Sequence, residues 1–192
     1  RGFVRRAIGR GAARLLHQVC SGRHDGEVDL EMHRTAMAAF GKAYSRTCIK
    51  GTTVRENAVE ALQMLAAEGR RLVVATNKPR HPAQLVLDRC GLIGLVDNLV
   101  SPEDAGVHKP DPRFVTHCLQ GRSPSAALLV GDSEVDADTA RGAGLPFVAI
   151  RGGYNEGRDI GEMRPPPERV IDSLRELPSA VASIEAESGG GR

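Results

Sequence analysis

Apolar positions recur along the chain in two rhythms, and the change between them divides it. Through residue 48 the spacing is helical. "FVRRAIGRGAARLLHQVC" sets Phe3, Ala7, Ile8, Leu15 and Val19 on roughly one face, and "DLEMHRTAMAAFGKAYSR" repeats the pattern with Leu30, Met37, Phe40 and Tyr44. The polar, glycine-containing "SGRHDGEVD" joins the two. "VRENAVEALQMLAAEG" predicts another helix, stopped by Gly69. From there short β-branched runs alternate with helical patterns. "RLVVATNKP" reads as a strand, followed by a helix over "AQLVLDRC" that Pro82 opens and Gly91 ends. "DNLVS" is a second strand, and Asp111-Pro112 introduces a helix over "RFVTHCLQ". "ALLVGD", the helix "EVDADTARGAG", "PFVAI", and finally "RVI" with "SLREL" complete the series.

This alternation predicts an α/β fold: a Rossmann-like, mostly parallel sheet flanked by helices, with a small helical cap. The boundaries fall at 1–50 for the cap, 51–180 for the core and 181–192 for a disordered tail. Sheets of this kind bind ligands beyond the carboxyl ends of their strands, and polar residues collect there. Thr76, Asn77 and Lys78 follow the first strand, and Lys109 lies in the loop after the second. Asp132 and Ser133 follow the third, Tyr154 and Asn155 the fourth. All share one rim.

Composition narrows the chemistry of that rim. A net charge of only +2 gives no reason to expect nucleic acid or an anionic membrane as partner. The absence of Trp argues against base-stacking platforms. No apolar run approaches the ~20 residues of a membrane span. Cys20, Cys48, Cys90 and Cys118 form no C-x-x-C pair, which points to reduced thiols and a cytoplasmic protein. The histidines show no metal-ligand spacing.

Asp132 and Asp136 share a helical face at i,i+4, and two carboxylates there suit a hard cation, Mg2+ above all. A helix cap at Asp132 or Ser133 with a solvated Asp136 fits the spacing as well. Thr76 and Asn77 at a strand end suit phosphate oxygens, or cap the helix that follows. Lys109 supplies a point charge for a phosphate, or is solvated. Arg10 and Arg14 in the cap are candidates to meet a substrate carboxylate.

"VVATNKP", "GVHKPDP" and "LLVGDSEVD", in that order, resemble motifs two, three and four of the haloacid dehalogenase-like phosphohydrolases. "TNKP", "VRRAIGRGAARLL" and "RGGYNEG" resemble the phosphoglycolate phosphatases among them. The resemblance implies a Mg2+-dependent phosphatase of a small phosphorylated metabolite, working through an aspartyl-phosphate. It implies that Thr76 and Asn77 bind the phosphoryl group and that Lys109 steadies the charge of nucleophile and phosphate. Asp132 would bind Mg2+, with Asp136 as a ligand or its support. Other members act on other sugar phosphates or are phosphoglucomutases, and monomer and homodimer stay equally open.

One departure matters most. The family's first motif, D-x-D-G-T at the end of its first strand, carries the nucleophile, and no such motif precedes the helical stretch here. Asp136-Ala137-Asp138 is the sole D-x-D, and it lies within a helix. The resemblance therefore predicts a fragment whose core lacks its first strand and which has no turnover of its own. The same absence fits a non-catalytic regulatory relative. "CIKGTTVREN" also stands where the family has a Pro-Gly turn, so the junction between cap and core differs.

Overall fold

Among the described residues three helices precede any strand in the structure, a computed structural model that describes residues 12–23, 27–153, 155 and 158–189. Helix α1 spans Ala12–Ser21 and α2 spans Leu30–Thr47; the two pack on each other. Asp29 starts α2, its carboxylate accepting the Met32 N–H at 2.8 Å. The apolar stripe of this cap is thinner than its periodicity predicts. Leu30 is 86% exposed and Val19 43%, and α2 buries no residue fully. A helix pair without a further layer covers only the line where the helices meet. Phe3, Ala7, Ile8 and Arg10 lie outside the described residues.

Helix α3 (Ala58–Ala67) begins four residues later than the pattern from Val54 suggests. Asn57 takes a left-handed conformation (φ 59°), which a helix cannot contain, so Val54 stays in the linker. Gly69 ends the helix as expected, at φ +75°. Strand β1 (Val73–Ala75), helix α4 (Arg80–Arg89) and strand β2 (Asn98–Val100) follow. Next comes a single turn, α5 (Pro102–Ala105), absent from the sequence reading. Its signal was local: Ser101 and Asp104 cap each other's backbone across the turn, with Pro102 at the first position. Helix α6 (Arg113–Leu119), strand β3 (Leu129–Gly131), helix α7 (Glu134–Ala143) and strand β4 (Phe147–Ile150) lie where the pattern puts them. Strand β5 (Arg169–Ile171) and helix α8 (Leu177–Gly189) close the chain.

The end of α8 corrects the expected tail. Residues 181–189 are helical, and Val181 and Ile184 are buried against the sheet. Their four-residue apolar spacing from Leu177 and Ala180 continues one face, which outweighs the glycine and serine content beyond it.

Every strand pairing is parallel, and the α/β expectation holds. Among the described residues the strands form two sheets, β1-β2 and β3-β4-β5. All four residues of β4 are buried, as a strand covered on both faces requires. Phe147 and Ala149 meet α7, Val115 of α6, Ile160 and Met163. Val148 and Ile150 face Leu65 of α3 and the apolar side of α8. Leu99 packs separately on Ala83 and Leu87 of α4.

Hydrogen bonds in a parallel pair alternate along each strand. The Thr76 N–H goes to Val100 C=O and the Leu129 N–H to Pro146 C=O, each toward the strand's own partner. Val73 and Ala75 in β1, and Val130 in β3, therefore direct their backbone groups to the opposite side. Val130 is 36% exposed, unusual for the middle of a core strand. No helix among the described residues is long and apolar enough to cross a membrane.

Candidate active site

Lys109 organises the rim. Its ammonium donates to Ala75 C=O at the end of β1 (2.8 Å) and to Asp136 Oδ1 on α7 (2.6 Å). Both charged side chains are only 10% exposed, so this ion pair ties the end of one sheet to a helix following the other. The backbone of Lys109 is fixed as firmly. Its N–H donates to Asn77 Oδ1 (2.8 Å), and Asn77 Nδ2 donates back to its C=O (2.9 Å). The Asn77 side-chain amide thus holds the Lys109 loop through both ends and helps to place the lysine.

Asp136 is occupied in the same way. Oδ1 takes Lys109, while Oδ2 accepts the Ser133 hydroxyl (2.7 Å) and lies 3.3 Å from the Asp132 N–H. Ser133 caps α7, its oxygen facing the Asp136 N–H at 3.4 Å. Ser133 is therefore the cap of α7, and Asp136 holds the lysine.

Two glycines allow these approaches. A Cβ on Gly131 would overlap the Asp136 side chain, and one on Gly153 would overlap that of Asp132. Gly153 belongs to the loop after β4, which folds over the start of α7. Buried Asn155 accepts the Glu134 N–H at 2.9 Å, and Arg158 pairs with Glu134 at 2.6 Å. Tyr154 and Arg10 lie outside the described residues, and Arg14 is exposed on α1.

At the end of β1, Thr76 Oγ1 accepts the Lys78 N–H at 3.1 Å. The Lys78 ammonium reaches across to the cap, donating to the Tyr44 hydroxyl and standing 4.6 Å from the centre of that ring. Phe40 stacks on Tyr44 at 5.0 Å. Away from this edge, burial pushes the Cys118 thiol up to about 11, against partial relief from Lys109 and Arg71.

The rim thus gathers Thr76, Asn77, Lys109, Ser133 and Asp136, with Asp132 at the mouth of α7. Among the described residues no group of three or more His, Cys, Asp and Glu side chains could hold a metal ion. One carboxylate can suffice for Mg2+, which keeps several waters and takes the rest of its ligands from a phosphate; Asp132 fits that pattern. Sequence reasoning offered the Ser133 cap but missed the Asn77 clamp, the Ser133 hydroxyl on Asp136, and the parts of Gly153 and Tyr44. The Ser-x-x-Asp spacing announces the cap, whereas nothing in a lone aromatic on an exposed helix announces Tyr44.

These features place the chain among capped α/β proteins that work at the carboxyl edge of a parallel sheet. Residues 4–144 match the family model of the haloacid dehalogenase-like hydrolases, and the chain belongs to that family. It is 35% identical over 176 residues to a phosphoglycolate phosphatase of Nitrosospira multiformis, covering 91% of this chain and 77% of that one. It is 32% identical over 171 residues to one from Thiobacillus denitrificans, covering 88% and 74%. A crystal structure of a predicted phosphoglycolate phosphatase from Haemophilus somnus superimposes with a TM-score of 0.84 at 25% identity, covering 94% of this chain and 81% of that one.

Proposed function

We propose that this chain carries the phosphate-binding and charge-neutralising part of a Mg2+-dependent phosphatase. Its substrate is a small phosphate monoester, with 2-phosphoglycolate the leading candidate. The observation that carries the reading is the buried ammonium of Lys109, held between Ala75 C=O and Asp136 beside the Thr76 strand end. The names of the relatives support the substrate class.

Phosphoryl transfer is mainly positioning and charge neutralisation. Thr76 offers its hydroxyl to a phosphoryl oxygen, its N–H being taken by Val100 C=O in the sheet. Lys109 offsets negative charge that grows between the phosphoryl group and an attacking carboxylate, and Asp136 keeps its ammonium in place. Asp132 would hold Mg2+, whose charge screens the phosphate. The attacking carboxylate is not among the residues gathered here. In the full reaction it would attack phosphorus, release the alcohol, and return phosphate when water cleaves the aspartyl-phosphate. The outward backbone groups of Val73 in β1 and Val130 in β3 are consistent with an added strand bringing that carboxylate to the rim.

Phosphate release from 2-phosphoglycolate with Mg2+ tests this. Residues 1–192 alone should show no turnover. A polypeptide extended by a strand ending in D-x-D should hydrolyse the ester, and Asp132→Asn should lower its rate at least about a hundredfold. Turnover by residues 1–192 that Asp132→Asn abolishes would overturn the missing carboxylate. An extended polypeptide inert toward a panel of phosphate monoesters would overturn the phosphatase. That second result would favour a non-catalytic regulatory relative, the reading that the absent D-x-D motif also suits.

A further inference from the structure

We propose that Lys78, oriented by Tyr44 of the cap, receives a second anionic group of the substrate, a carboxylate, while the phosphoryl group sits at Thr76. The proposal rests on the phosphatase reading and deepens it by assigning the group that recognises the rest of the substrate.

The two rim lysines differ in what surrounds them. Lys109 is neutralised by Asp136. Lys78 meets only a neutral phenol: among the described residues its ammonium donates to the Tyr44 hydroxyl and lies beside the ring. An ammonium has three donors and the phenol oxygen engages one. Lys78 therefore keeps a full positive charge and donor capacity at a half-buried position, where an ion pair is stronger than in open water.

Its place is set from both sides. On the core side its own N–H is bound to Thr76 Oγ1, two residues back, so it is anchored to the phosphoryl seat. On the cap side the Tyr44 ring is stacked on Phe40 with planes 15° apart, which fixes the hydroxyl that Lys78 meets. A flexible lysine held by an aromatic face and a hydroxyl is pre-aimed rather than solvated. A single unbalanced positive charge matches a monoanion. A carboxylate forms charge-assisted hydrogen bonds stronger than the one to phenol, so it would recruit the ammonium while Tyr44 retains the side chain's direction. Tyr44 is then a positioning residue and Lys78 the recognition group.

Calorimetric titration of residues 1–192 with Mg2+ separates these roles, using 2-phosphoglycolate and ethyl phosphate, which has a methyl group in place of the carboxylate. The unaltered chain should bind 2-phosphoglycolate about tenfold or more tightly than ethyl phosphate. Lys78→Met should remove that preference by weakening 2-phosphoglycolate far more than ethyl phosphate. Lys78→Arg should keep most of it. Tyr44→Phe, which retains the ring and loses the hydroxyl, should reduce it part of the way. A preference unchanged in Lys78→Met, or both ligands weakened equally while Lys78→Arg restores neither, would overturn the inference and leave the phosphate site standing. Binding of neither ligand by the unaltered chain would overturn the phosphate site itself, and this inference with it.

Discussion

Asp136 shows how much of a carboxylate's part is set by what stands opposite it. Its i,i+4 relation to Asp132 suggests a cation ligand or the support of one, and in the structure Lys109 engages one of its oxygens and Ser133 the other. Spacing specifies a face of a helix and leaves open what stands opposite that face. Asp136→Asn would leave the Lys109 ammonium buried without its counter-charge, at a cost of about 3 kcal/mol, measurable by urea unfolding. Gly153→Ala would drive a methyl group into Asp132. The expected result is weaker Mg2+ affinity by calorimetry, with the unfolding midpoint moved far less than by Asp136→Asn. Cys118 gives a pH test. With its pKa near 11, the thiolate fraction at pH 8 is on the order of one in a thousand. Iodoacetamide should modify it slowly there, with the rate rising about tenfold per pH unit until the pH nears 11.

Among the elements, those fixed by burial on two sides were the easiest to find. The four-residue run of β4 and the capped, glycine-stopped α7 needed no tertiary information. The elements that moved were those whose limits depend on one backbone conformation or on a distant partner. Asn57 delays α3 through a left-handed φ that its residue type permits without requiring. The extension of α8 depends on Val181 and Ile184 meeting Val148 and Ile150 across the sheet, a contact that local composition does not encode. Ile184→Ala should therefore destabilise the protein by about 2–4 kcal/mol in chemical denaturation, as for a buried core residue. A truly disordered tail would show no change. Ser133→Ala removes the cap of α7 and should cost about 1 kcal/mol in the same experiment.

For the whole molecule, the order of strands and helices and the common rim were readable because parallel sheets leave few alternatives. The division into two sheets was not visible in any one segment, since it concerns which strands become neighbours. Amide exchange should register it: Val130, whose N–H points away from β4, should exchange faster than Leu129 and Gly131 on either side. The Lys109–Asp136 pair also governs how the molecule is approached from afar. A cation matched so closely by its carboxylate forms a dipole whose field dies away within a short distance, and the whole chain carries only +2. From this pair an incoming phosphate ester would feel little long-range attraction, and among the described residues Lys78 is left as the rim's single uncompensated positive charge to draw it in. Its association rate should vary only weakly between low and physiological ionic strength, so the molecule's discrimination is exercised after arrival, at contact distance.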